Sequence, residues 1–229
     1  MKPALIIFDW DGTLMDSAAR IVNCMTAAFV ELELTPPPAA SIRMQIGLGL
    51  EEAMTALDPA LGAEVKTQLM DAYRRRFLGA DPTPTPLFEQ AFEVVRDLHA
   101  QGWLLAVATG KSRRGLDRAL EESGLGPYFH ATRCADETFS KPHPQMLLEV
   151  LDELGTRAEA ALMIGDTEFD LRMAQNAGMA ALGVSYGVHD RERLLACAPL
   201  DLIHAIGELP GWLAARGWQS SPTLTPEML

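Results

Sequence analysis

With 229 residues, 48% of them hydrophobic and 22% charged, the chain has enough apolar content for one large domain or for a core plus a smaller module. A formal net charge of −12 speaks against a nucleic-acid binder, because neutralising phosphate backbones takes clustered Lys and Arg. It does not bear on small anions, since one local cation outweighs a distant negative field.

The N-terminal MKPALIIFDWDG holds a short apolar run that acidic residues interrupt at once, so it reads as neither a signal peptide nor a membrane span. Cys24, Cys134 and Cys197 are far apart and lack metal-ligand spacing, which fits reduced, buried thiols. A soluble cytoplasmic protein with no nucleic-acid or membrane partner is expected. Its oligomeric state is not legible.

Ala4–Phe8 is an apolar run closed by Asp-Trp-Asp-Gly, the pattern of a buried strand and a tight turn. The next sixty residues differ. Ala18–Leu34, Leu50–Leu57 and Leu61–Leu78 have helical periodicity with no convincing strand, and Pro36-Pro37-Pro38 breaks the stretch internally. Asp81-Pro-Thr-Pro-Thr-Pro86 then reads as a stiff, extended connector. Beyond it, the spacing predicts helices over Leu87–Gln101, Pro144–Leu154 and Asp170–Ala177. Strands are expected at Leu104–Ala108, Ala161–Ile164 and Ala180–Val184, and in weaker form at His130–Cys134. Alternating strands and helices imply a parallel sheet with crossover helices. Ser220–Leu229 reads as a loose tail.

Four short segments carry chemistry. Asp9 and Asp11 stand two residues apart at a strand end, so both carboxylates can face the crevice where open parallel sheets bind ligands. Acids this close repel unless a cation or a shared proton intervenes. Gly12 permits the sharp turn, Thr13 offers a hydroxyl, and Trp10 alternates to the opposite face as packing. A calcium loop is the competing reading, but its further spaced ligands and terminal Glu are missing. Gly165-Asp166-Thr-Glu-Phe-Asp170 closes a second strand with an acid and supplies another four residues on. A helix cap explains only one of the two.

After the strand Leu104–Ala108, Thr109, Gly110 and Lys111 can hold a phosphate oxygen through a hydroxyl and backbone N–H groups. Lys141 precedes Pro142, which restricts its backbone, and it is one of only four lysines in the chain.

Asp9-Trp-Asp-Gly-Thr, Thr109, Lys141-Pro142 and Gly165-Asp-x-x-x-Asp170 together resemble the haloacid dehalogenase-like hydrolase superfamily, in order and in approximate spacing. Within it the chain resembles the phosphoglycolate phosphatase-like branch, from about Ala4 to Gly187. The resemblance implies an α/β fold: a Rossmann-like parallel sheet core with helices on both faces, plus an inserted all-helical C1 cap domain. The expected division is a core of residues 1–16 and 82–219, a cap of 17–81 and a tail of 220–229.

It also implies Asp9 as nucleophile, Asp11 as general acid then base, and Thr109 and Lys141 as phosphoryl binders. Magnesium would be held by Asp9, Asp166 and the backbone carbonyl of Asp11, with Asp170 as a supporting acid. The implied partner is a small-molecule phosphate, phosphoglycolate among the candidates, and an inorganic pyrophosphatase or a sugar-phosphate mutase stays open. A phosphonatase needs a cap lysine, and the only one, Lys66, lies deep in a helix pattern.

Substrate choice belongs to the cap. Arg20, Arg43 and the Arg74-Arg75-Arg76 run, Arg75 especially, are the candidates to meet a second anionic group. For the run, a solvated helix face is the other reading. Gly110 and Lys111 are expected on the phosphate, although Thr109-Gly-Lys differs from the branch's common Thr-Asn-Lys. Gly47-Leu-Gly49 is a candidate loop facing the site. His143 and His189 read as satisfied loop residues.

Overall fold

A computed structural model describes residues 4–218. The expected tail lies outside the described residues. Six parallel strands form one sheet in the order β3-β2-β1-β4-β5-β6. They are β1 (Leu5–Phe8), β2 (Leu104–Thr109), β3 (Ala131–Cys134), β4 (Ala161–Gly165), β5 (Ala180–Val184) and β6 (Leu202–Ile203). Central β1 pairs Leu5 with Leu104 on one side and with Ala161 on the other. Its two flanking strands run off in opposite sequence directions. That reversal opens a crevice at the carboxyl ends of the strands, directly after Phe8.

Period-two alternation decides what each face buries. Ile6 and Phe8 of β1, Leu105 and Val107 of β2 and Leu162 and Ile164 of β4 enter one core with α5 (Ala91–Ala100), α6 (Arg113–Ser123) and, at the far edge, α10 (Leu209–Ala215). Leu5, Ile7, Ala106, Ala108 and Met163 face the other side, under α7 (Gln145–Glu153), α8 (Glu168–Asn176) and α9 (Arg191–Ala196). Each fully buried Leu or Ile contributes about 1.5–3 kcal/mol from apolar transfer.

Between β1 and α5 stand four helices that share a separate core: α1 (Ala18–Glu31), α2 (Ala39–Arg43), α3 (Leu50–Leu57) and α4 (Ala63–Arg75). Met25, Ala28 and Phe29 of α1 pack there with Ile42, Met54, Leu69 and Ala72. A π-helical turn, Arg76–Ala80, follows α4, and the proline-rich connector leads back to the sheet. The chain crosses between the two cores along paired backbone: Asp16 N–H donates to Pro86 O at 2.8 Å, and Met15 forms an antiparallel bridge with Leu87.

Several boundaries differ from the sequence expectation for local reasons. α5 starts at Ala91 and not at Leu87, because Phe88 N–H pairs with Leu14 O and Gln90 takes a left-handed φ of 67°. α1 stops at Glu31, two residues before Glu33 turns left-handed at φ 59° ahead of the prolines. α4 begins after the extended Gly62, and its predicted last turn relaxes into the π-helical one. The short α2, α9, α10 and β6, and the eleven-residue α6, were not expected from periodicity. Among the described residues, no helix is long and apolar enough to cross a membrane.

Candidate active site

Strand ends deliver the acids. Asp9 follows β1 and is anchored by its N–H on Ile164 O of β4 at 2.9 Å. Asp166 follows β4. One of its carboxylate oxygens accepts from the Thr13 hydroxyl (3.0 Å), the other from Val188 N–H (2.8 Å). Gly12, at φ 87°, brings the turn so close that a Cβ there would stand 2.1 Å from Asp166 Oδ2. A β-carbon on Gly187 would likewise fall 2.3 Å from Asp166 Cβ. Only glycine fits at either place.

Asp170 has two engagements. Its Oδ2 accepts from Thr167 N–H and the Thr167 hydroxyl, closing a capping box at the start of α8. Its Oδ1 lies 2.7 Å from Lys141 Nζ. The helix-cap reading is therefore correct for one oxygen of this acid and silent on the other. Lys141, whose peptide bond to Pro142 is cis, also places Nζ 2.6 Å from Asp9 Oδ1. Lys141, Asp9, Asp166 and Asp170 are all buried.

These contacts leave Asp9 Oδ2 buried without a hydrogen-bond partner among the described residues. Asp9, Asp166 and Asp170 each offer a carboxylate oxygen, all within 4.8 Å of one another. Three carboxylates thus face one ammonium in a buried site. Burial, with the Asp170 and Asp166 charges, pushes the Asp9 carboxyl well up despite Lys141 beside it. Burial and the Asp170 charge push Asp166 up to about 7, against the pull of Val188 N–H and Thr13. Burial disfavours the Lys141 ammonium, but Asp170 and Asp9 outweigh it and hold the group protonated above the usual lysine range. The cluster lacks positive charge, and the orphaned oxygen faces the deficit. An oxygen-preferring divalent cation fits that donor set.

Asp11 lies apart from this cluster. Its carboxylate takes both oxygens to Lys111 Nζ, at 2.8 and 3.1 Å, and accepts from the Ser17 hydroxyl. The side chain is held on the cavity wall and not against Asp166, so among the four predicted metal residues it stands outside the carboxylate group. Lys111 itself lies over the Phe77 ring, 4.6 Å from the centroid. Thr109 ends β2 fully buried, and its hydroxyl accepts from Lys111 N–H at 3.3 Å. Gly110 meets the cap: a Cβ there would stand 2.4 Å from Leu48 O.

The loop Gly47-Leu48-Gly49 therefore does face the site, as expected. Gly49 N–H donates to the Ser140 hydroxyl at 2.7 Å, next to Lys141. Above the acids lies a cavity of about 450 Å³, bounded by Asp9, Asp11, Gly110 and Lys111 below and by the four helices above.

The cap arginines sit elsewhere than predicted. Arg43 and Arg75 do not line the cavity. Arg43 donates to Gly187 O at 2.8 Å, and Arg75 pairs with Glu31 at 2.6 Å on the exposed helix face. Arg20 reaches the carbonyls of Phe77 and Thr83. Of the run, only Arg74 borders the cavity, ion-paired to Asp71. Lys66 donates to Thr55 on the exposed cap surface. His189 is a satisfied loop residue: Nδ1 accepts from Glu168 N–H, and Nε2 lies 3.2 Å from Met44 O. Trp10 is wholly buried packing, edge-on to Phe129.

Ser17, Ser140, Gly187 and Val188 are site residues that sequence reasoning missed. Ser17 donates to Asp11 six positions away, Ser140 accepts from Gly49 N–H of the cap, and Gly187 and Val188 meet Arg43 and Asp166, contacts that no local pattern announces.

A sheet that reverses at β1 and two strand-end acid turns around one buried lysine define a hydrolase site on a Rossmann-like core. The chain belongs to the haloacid dehalogenase-like hydrolase family, whose model matches residues 6–184. A protein of Dickeya dadantii named Probable phosphatase IndB is 37% identical, over 92% of this chain and 93% of its own. A phosphoglycolate phosphatase of Mesorhizobium japonicum is 29% identical, over 83% of this chain and 86% of its own. The crystal structure of a haloacid dehalogenase-like hydrolase from Bacteroides fragilis superposes with a TM-score of 0.85 at 26% identity, covering 91% of this chain and 100% of that one.

Proposed function

We propose that this chain is a magnesium-dependent phosphatase that hydrolyses small organic phosphate monoesters through a phosphoaspartate on Asp9. The observation that carries the reading is the split between two neighbouring acids. Asp9 has an oxygen without a hydrogen-bond partner among the described residues, in the buried cluster, while Asp11, two residues on, borders the same cavity on its own cation.

Asp9 attacks phosphorus, and the bond from phosphorus to the alcohol oxygen breaks. Asp11, entering the step protonated, gives that proton to the departing oxygen, then takes one from the water that attacks the phosphoaspartate, releasing phosphate and restoring both Asp9 and Asp11. Ser17 and Lys111 keep its carboxylate turned toward the cavity. Lys141 keeps Asp9 in place and balances part of the cluster's charge. Thr109 and the N–H groups after it are assigned to the phosphoryl oxygens. Asp9, Asp166 and the Asp11 carbonyl are assigned to magnesium, with Asp170 in support. Bound there, the ion supplies positive charge that offsets the repulsion between carboxylate nucleophile and phosphate dianion. A cap of residues 17–81 is assigned the exclusion of bulk water. Relatives named for phosphoglycolate make that compound one candidate substrate.

The test is hydrolysis of p-nitrophenyl phosphate with and without magnesium. Magnesium-dependent turnover that disappears in Asp9→Asn is expected; no turnover by the wild type, or equal turnover by the variant, removes the reading.

A further inference from the structure

We propose that the cap-side cavity receives an uncharged, ring-bearing alcohol part of the phosphate monoester and not a second anionic group. This rests on the phosphatase reading above and narrows its substrate class. The cap helices and the π-helical turn give the cavity the apolar residues Met25, Ile42, Leu57, Met70, Tyr73 and Phe77. At about 450 Å³ the space matches a drug-sized ligand, and a two-carbon acid would leave most of it, the apolar side included, unfilled. The rings of Tyr73 and Phe77 stack on each other at 5.6 Å and 22°, with Lys111 over the Phe77 ring, which puts two aromatic side chains in the cavity lining. Tyr73 also brings a phenol, a group able to donate or accept, to the cavity lining.

Charge points the same way. Beyond Asp9 and Asp11, the charged lining residues are Glu51, Glu52 and Asp136 against Lys111 and Arg74. Both cations are committed, Lys111 to Asp11 and Arg74 to Asp71. Arg43, Arg75 and Arg20 do not line the cavity and are bonded to the Gly187 carbonyl, Glu31 and the Phe77 carbonyl. A second anion would enter a space with a net negative border whose two lining cations, among the described residues, are already ion-paired, a costly burial.

The experiment compares kcat/KM of the wild type for 1-naphthyl phosphate, 2-phosphoglycolate and pyrophosphate. Binding of the same three compounds to Asp9→Asn in magnesium is measured by calorimetry, which needs no turnover. A preference of at least tenfold for 1-naphthyl phosphate is expected in both, carried mainly in KM. Met70→Arg, which puts a cation into the wall, should shrink that preference by raising the KM for 1-naphthyl phosphate and lowering it for 2-phosphoglycolate. Equal or better binding and turnover of 2-phosphoglycolate or pyrophosphate by the wild type overturns the inference and leaves the phosphatase reading standing. Failure to turn over even p-nitrophenyl phosphate removes both.

Discussion

Arg43 of α2 donates a 2.8 Å hydrogen bond to the carbonyl of Gly187, and Gly187 lies so close to Asp166 that a β-carbon would overlap it. A cap side chain thus grips the loop that shapes the acid cluster. Arg43→Ala should weaken cap closure and lower kcat/KM several-fold, in keeping with the loss of about 1 kcal/mol from one partly solvated hydrogen bond. Its preference among substrates should stay as in the wild type, because Arg43 does not line the cavity. Gly187→Ala should be far more damaging. The new methyl must displace the Asp166 carboxylate, and magnesium titrations followed by calorimetry should show binding lost.

Lys141 is wholly buried between Asp9 and Asp170. Lys141→Ala leaves both carboxylates without their counter-charge, and breaking a buried pair in this way costs about 3–5 kcal/mol. Chemical denaturation should show a fall of that size. Lys141→Arg should recover little, since a planar fork does not fit a site shaped around a single nitrogen.

Removing divalent metal with a chelator should abolish turnover, and added magnesium should restore it. Magnesium should also raise the melting temperature of the wild type, by about 2.7 kcal/mol of stabilisation at a hundredfold excess over Kd. Asp166→Asn should lose that thermal response while keeping the fold. A wild-type melting temperature indifferent to magnesium would contradict the charge deficit at Asp9 Oδ2.

Glu137 ties β3 to α6. Hydrogen bonds from Arg113 first, then Cys134 N–H, hold its carboxyl below the ordinary glutamate range, against the opposing effect of burial. A carboxyl depressed in the folded state adds stability above its unfolded pKa, about 4.3, and that stability is lost as pH falls through the folded value. Glu137→Gln should cost a few tenths of a kcal/mol to about 1 kcal/mol at pH 7, since the pair is partly solvated. The difference from wild type should vanish in acid, as read by urea denaturation between pH 7 and pH 3.

The sheet and the acid turns were legible because their signals are local. Leu5–Phe8 followed by Asp9 and Asp11, and Ala161–Gly165 followed by Asp166, are apolar runs closed by acids, and such runs have few alternatives. Leu50–Leu57 matched its helix to the residue. The cap arginines were harder to read because their partners are set by tertiary geometry. Arg43 meets a carbonyl 144 positions away, and Arg75 meets Glu31 across two helices. The short β6 pairs only through Gly183 and Val184, too brief a run to show a period. α5 lost its first four predicted residues because backbone pairing of Leu87 and Phe88 with the β1 turn outcompeted helical propensity.

β1 precedes the other five strands in the described chain yet lies inside the sheet, so it must wait for both of its neighbours. Its neighbours Leu104 and Ala161 arrive about a hundred residues or more later. The four cap helices complete their own apolar cluster between Met25 and Ala72, from contacts close in sequence, and local contacts form fastest. The nascent chain is therefore expected to collapse at the cap while Leu-Ile-Ile-Phe still exposes both strand edges, a window for mispairing. Pulse-labelled hydrogen exchange during refolding should find amides of α1 and α4 protected before those of β1, and the reverse order would refute this sequence of events.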